Sequence, residues 1–175
     1  CDDGNTMPDD GCDNNCQIES EGSVQGPGST QTFMGTLQAG QRHDYVVTLA
    51  SPGYIRSQTF VPTAPTCSAP NNDTALTLRS TTGIITENDN WPDGQKCSLI
   101  EVRFETQQLP AGTYVIQVHA FQRIQAYSVR IDTIGVACGN GIQESTEQCD
   151  DGNTRAGDLC DPTCGFSGAS EAEPN

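Results

Sequence analysis

The sequence predicts an all-β chain, with an antiparallel β-sandwich set between two small cysteine-rich modules. Three observations predict it: short segments in which apolar and polar residues alternate, turn residues between those segments, and cysteines gathered near the two ends. No apolar periodicity of a helix stands out. With 175 residues, 34% of them hydrophobic, 18 glycines and 10 prolines, the chain is long enough for one domain with a sizeable core plus loop-rich satellites.

Residues 17–31, QIESEGSVQGPGSTQ, read as a polar linker. The first expected strand is 32–37, ended by Ala39-Gly40; the next, 44–49, is ended by Ser51-Pro52-Gly53. Strand 54–60 stops at the Pro-rich stretch 62–70. Strand 74–78 ends near Gly83, and 84–86 runs into the acidic loop 87–94. Strands at 99–105, 113–120 and 126–134 complete the set. In these last three the buried face can be read off by alternation: Ile100, Val102 and Phe104; Tyr114, Ile116 and Val118; Tyr127, Val129 and Ile131. Burying each such side chain contributes about 1.5–3 kcal/mol. A core of this kind folds without help from metal or disulfides.

The two ends of the chain repeat one another. CDDGNTMPDDGCDNNC (Cys1 to Cys16) and CDDGNTRAGDLCDPTC (Cys149 to Cys164) agree at ten of sixteen positions, all three cysteines included, at a constant offset of 148 residues. The first copy opens within a repeat, since the counterpart of Cys138 would lie upstream of Cys1.

Charge follows the same division. The formal net charge of −15 splits into −7 over residues 1–27, −1 over 28–137 and −7 over 138–175, so it belongs to the cysteine modules. Nucleic acid and anionic membrane surfaces call for the opposite sign and are not expected as partners. No run approaches the roughly 18 apolar residues of a membrane span, and no signal peptide is present in this segment. Nine cysteines point to an oxidising compartment. Zinc is disfavoured, because the cysteines of the complete repeat are separated by ten, ten and three residues, with no Cys-x-x-Cys and no histidine nearby.

The stretch CGNGIQESTEQCDDGNTRAGDLCDPTC, residues 138–164, resembles the myxobacterial cysteine-rich disulfide repeat; residues 1–16 match it in part. The resemblance implies a large secreted or surface-displayed modular protein and no chemistry of its own. Three connectivities are open to four cysteines. Cys149–Cys164 with Cys138–Cys160 is the chosen expectation, and by homology Cys1–Cys16, leaving Cys12 over. GTLQAGQRHDYVVTL, DTALTL, Gly83, Asn88-Asp89-Asn90 and LPAGTYVIQVHAF with AYSVRI together resemble the bacterial pre-peptidase C-terminal domain, a jelly-roll-like sandwich, over about residues 30–134. The chain departs from that family in carrying Cys67 and Cys97, which suggests an extra disulfide between two loops, and Arg79 where an aromatic is usual. EAEPN, residues 171–175, resembles the lead-in to a further such domain.

Catalysis finds no constellation. His43 and His119 fall in expected strands, and no Gly-x-Ser-x-Gly elbow, His-Glu-x-x-His helix or phosphate-binding glycine loop occurs. No enzyme is expected. Asn72-Asp73-Thr74 fits a glycosylation acceptor in form and reads as a turn before a strand. Calcium is the one cofactor the residues suggest, because it takes six to eight oxygen ligands from carboxylates, amides and carbonyls. Candidate ligands are Asp150, Asp151, Asn153, Asp158 and Asp161, with Asp2, Asp3, Asn5, Asp10 and Asp13 as counterparts; Asp73, Asp89, Asn90 and Asp93 form a second set in the sandwich. The competing reading makes them turn-forming and solvating residues.

The functional expectation is a non-enzymatic structural or adhesive protein at the exterior or surface of a bacterial cell. It would form an array or fibre whose period is 148 residues and whose acidic joints are stiffened by calcium. Its partners would be neighbouring copies, with surface polysaccharide or protein as further ones, and the linker 17–31 could donate a strand to a neighbour. The alternative is an accessory domain of a secreted hydrolase, binding glycan or protein through Trp91 and Phe121.

Overall fold

The computed structural model describes residues 15, 17, 19–62, 73–90, 96–101 and 108–167. Two sheets face each other. The strands are β1 (Ser20–Gly26), β2 (Thr30–Leu37), β3 (Arg42–Leu49), β4 (Gly53–Phe60), β5 (Thr74–Ser80), β6 (Gly83–Asn88), β7 (Leu99–Ile100), β8 (Gly112–Ala120) and β9 (Ile124–Gly135). One sheet has the order β1-β3-β8-β5-β6 and the other β2-β9-β4-β7. Among the described residues no helix is long and apolar enough to cross a membrane.

The alternating residues fill the space between the sheets. Tyr114, Ile116 and Val118 from β8 and Tyr127, Val129 and Ile131 from β9 are buried, joined by Val47, Leu76, Leu78 and Ile100. Val102 and Phe104 lie outside the described residues. β5 takes its place between β8 and β6 with Arg79 half-buried at its end, beside a register irregularity between Leu78 and Arg79. The core also holds a polar chain that alternation does not reveal. Tyr127 Oη lies 2.8 Å from Tyr45 Oη and 2.7 Å from His43 Nδ1. His43 Nε2 in turn stands 3.9 Å from Glu21. His43 is therefore half-buried and engaged. Burial pushes the Tyr45 hydroxyl up to about 12.

The segment read as a linker is largely strand. β1 runs parallel to β3, from Ser20 beside Asp44 to Gly26 beside Leu49, in a sandwich whose other pairings are antiparallel among the described strands. Val24 is its one buried apolar side chain, so the period-two signal is almost silent there. Glycines let β1 come close to the facing sheet: a Cβ at Gly22 would stand 2.3 Å from Phe33, whose ring stacks on Tyr45 at 4.8 Å. β1 thus occupies the edge of its own sandwich, in the place where donation to a neighbour was expected.

The cysteine module folds without regular elements, and its bridges are nested. Cys138 pairs with Cys164 and Cys149 with Cys160, which overturns the crossed pairing expected from the sequence. A tight reversal decides the matter. Asp161 N donates to Gly165 O at 2.8 Å and Cys164 N to Asp161 O at 2.9 Å, with Cys164 at φ 58°. Cys164 lies against Gln148 and Cys149 through its carbonyl, which accepts both their N–H groups, and its sulfur is left to meet Cys138. The Cys1–Cys16 expectation took its pairing from Cys149–Cys164 and loses that support; Cys1, Cys12 and Cys16 lie outside the described residues. Cys97 is buried and disulfide-bonded, and its expected partner Cys67 also lies outside them.

Candidate metal centre

The module begins where β9 ends, and it is packed onto the sandwich rather than tethered to it. Ile142 of the module, 4% exposed, packs with Tyr54 at the start of β4 and with Ile134 near the end of β9. Asn140 fixes the polar side of this joint. Its Nδ2 donates to Gly135 O at 2.7 Å and to Glu144 Oε1 at 2.8 Å, while its Oδ1 accepts the Ile142 N–H at 2.7 Å.

Three carboxylates converge beside it. One oxygen from each of Glu144, Glu147 and Asp150 lies within 4.8 Å of the others. Asp150 accepts four backbone N–H groups: Gly139 at 2.8 Å and Asn140 at 3.1 Å on Oδ2, Gly141 at 2.9 Å and Gly152 at 2.7 Å on Oδ1. Those bonds gather the Cys-Gly-Asn-Gly turn around one anchor. Glu147 Oε2 accepts the Glu144 N–H at 3.1 Å. Glu144 is 4% exposed, and its carboxyl is engaged by the Asn140 amide and the Tyr54 hydroxyl. Burial pushes the Glu144 carboxyl above the usual range and Glu147 adds to the push, against the Asn140 amide and Tyr54. Two full charges within 4.8 Å of each other repel by at least about 3.5 kcal/mol at an effective dielectric near 20. A second grouping, Cys138, Glu147 and Cys164, offers no thiolate, because its two cysteines are bonded to each other.

Of the ligands expected from the sequence, only Asp150 joins this cluster among the described residues. Asp151 accepts from Asn153, N–H and side chain alike, and Asn153 Oδ1 accepts the Arg155 N–H. Asp161 Oδ1 accepts the N–H and hydroxyl of Thr163 and the N–H of Gly165, which hold its carboxyl below the usual range. Asp158 is exposed. In the sandwich, Asp73 is taken by Lys96 at 2.7 Å and Asp89 Oδ1 accepts from Asn90 at 2.6 Å. Asp93, Trp91 and the N-terminal set Asp2, Asp3, Asn5, Asp10 and Asp13 lie outside the described residues. Glu144 and Glu147 were not among the expected ligands. Their signal was present as Glu-x-x-Glu-x-x-Asp, three acids at even spacing immediately before the Asp-Gly-Asn block.

Residues 136–165 match a family model, a domain of unknown function (DUF4215). The match starts one residue after β9 and closes one residue after Cys164, so it coincides with the module. No curated protein matches the chain significantly. Among solved structures, the pre-peptidase C-terminal domain of a collagenase from Bacillus anthracis is 11% identical, with 67% of this chain and 98% of that one covered and a TM-score of 0.43. PliG of Aeromonas hydrophila, a periplasmic inhibitor of g-type lysozyme, is 10% identical, with 63% and 95% covered and a TM-score of 0.39. PliG of Salmonella Typhimurium is 15% identical, with 63% and 97% covered and a TM-score of 0.35.

Proposed function

We propose that this chain is a non-enzymatic unit of an extracellular bacterial structural array, in which each sandwich is joined to the next through a rigidly seated cysteine module. The observation that carries this reading is the placement of the sandwich's entry and exit. β1 and β9 run in the same direction: Gly26, the end of β1, abuts Thr133 near the end of β9, and Ser20 lies beside Asp44, at the opposite end. The chain enters at one end of the sandwich and leaves at the other, about 20 Å away for a seven-residue strand. Copies joined in sequence would therefore extend in line instead of folding back.

The seated module supports the same reading. A module of this size buries too little apolar surface to be stiff alone, and here Ile142, Asn140 and two nested disulfides supply the missing constraint. The repeat offset of 148 residues gives the unit, and its cysteine motif resembles the myxobacterial disulfide repeat. The disulfides support a site outside the cytoplasm, at the bacterial surface or beyond it. Its partners are then neighbouring copies. Electron microscopy of the native material is the test: linear particles with one axial period per unit are expected, and isolated globules would refute the array.

A further inference from the structure

We propose that Asn140 is a guarded deamidation site, which stays an amide while the module is seated and converts once the joint opens. Asn140-Gly141 is the one Asn-Gly pair in the chain. Asparagine is chemically labile, and most so before glycine, where no Cβ hinders the next backbone nitrogen from reaching the side-chain carbon. In the reaction Gly141 N loses its proton and attacks Asn140 Cγ. The bond from Cγ to Nδ2 breaks, and the departing amide nitrogen takes up a proton and leaves as ammonia. Water then opens the cyclic imide to aspartate or isoaspartate. Gly141 stands at φ 83°, which only glycine adopts readily, so the turn cannot relieve the labile pair with a bulkier neighbour.

The seated module holds each group that must move. The attacking nitrogen, Gly141 N, donates to Asp150 Oδ1 at 2.9 Å. Attack requires that nitrogen to become anionic, and a carboxylate already bound to its proton opposes the charge. The leaving nitrogen, Asn140 Nδ2, spends its hydrogens on Gly135 O at 2.7 Å and Glu144 Oε1 at 2.8 Å, which fixes the plane of the amide. One contact acts the other way: the Ile142 N–H on Oδ1 at 2.7 Å would stabilise that oxygen as charge builds on it. Asp150 is therefore the decisive guard. Conversion is one-way, because aspartate at 140 cannot donate to Gly135 or Glu144, and isoaspartate reroutes and lengthens the main chain where four N–H groups converge on Asp150. The Cys138–Cys164 bridge closes the loop that contains the pair, so losing it opens the site. A joint that stays open long enough to convert does not reseat. The site belongs to a single unit, whether or not units form an array.

The experiment ages the full chain in mildly alkaline buffer and follows Asn140 by peptide mapping and mass spectrometry, with enzymatic carboxyl methylation to read isoaspartate. Urea-denatured wild type sets the unguarded rate. A hydrogen bond to a charged acceptor corresponds to about a ten- to hundredfold change in rate, so intact wild type should convert at least about tenfold more slowly than the denatured chain. The double variant Cys138→Ser with Cys164→Ser should approach the denatured rate. Asp150→Asn, which keeps an acceptor without its charge, should fall between the two, its retained Cys149–Cys160 bridge showing that the module still closes. Asp158→Asn, on an exposed side chain, should age as wild type does. Intact wild type converting at the denatured rate overturns the proposal. So does a rate unchanged from wild type in both Asp150→Asn and the serine variant.

Discussion

Replacing Asn140 by aspartate isolates the joint with almost no change of shape. The carboxylate keeps the Oδ1 acceptor for the Ile142 N–H, and the backbone N–H to Asp150 is untouched. What disappears is the pair of bonds from Nδ2, one to the Gly135 carbonyl at 2.7 Å and one to the Glu144 carboxyl at 2.8 Å. A bond between neutral groups contributes about 0.5–1.5 kcal/mol and one to a charged group about 1.5–3 kcal/mol. The loss is thus about 2–4.5 kcal/mol before any repulsion between the new carboxylate and Glu144. For a chain of 175 residues each kcal/mol moves the midpoint by about 2–4 °C, which gives a drop of about 4–18 °C. Differential scanning calorimetry reads it directly. A variant melting within about 2 °C of the wild type would mean that the Asn140 amide does not hold the module on β9, and the argument for a seated joint would go with it.

Other expectations follow from the sandwich and the bridges. Tyr127→Phe removes the hydroxyl that joins His43 to Tyr45 and should cost about 1–3 kcal/mol in urea unfolding; an unchanged midpoint would show that the polar chain contributes nothing. Gly22→Ala puts a Cβ 2.3 Å from Phe33 and should cost about 1–3 kcal/mol, with proteolysis appearing first within β1. Resistance equal to wild type would count against the close seat of β1. Burial holds the Asp44 carboxyl above its usual range, against the Gln117 hydrogen bond and the charges of Arg42, Arg79 and His43. A raised carboxylate favours the folded state while protonated and loses that contribution as pH rises through the folded value. Asp44→Asn should accordingly melt above the wild type at pH 7 and equal to it near pH 3; the opposite order at neutral pH would refute the cause. Non-reducing peptide mapping should recover Cys138 with Cys164 and Cys149 with Cys160, and a crossed pair would overturn the nested module.

What could be read from the sequence tracks what each residue buries. β8 and β9 were legible because alternate side chains enter one core and the rest face outward. β1 was not, because its place is set by main-chain pairing to β3 and by Val24 alone. The module was legible as a stapled unit from its cysteines, yet spacing cannot choose a connectivity. The reversal at Asp161 to Gly165 does that, and it exists only in three dimensions. Asp150 was found for its acidity and turned out to organise a turn; Glu144 was missed because its burial, with Asn140 and Tyr54 on its carboxyl, exists only in the fold.

The order of the two bridges also decides how the molecule would carry tension. In the proposed array a pull would reach the module at residue 136, just past β9, and leave beyond Cys164. The outer bridge connects the two sides directly, so the force passes from Cys138 to Cys164 and bypasses the 25 residues between them. The inner bridge, the Asp150 turn and the carboxylate cluster would stay unloaded while the sandwich is stretched. Within the sandwich the same pull drags β1 along its own axis past β3, which strains their paired residues together in shear and not one at a time from an end. Under load, length would be conserved by one covalent shortcut and one parallel strand edge.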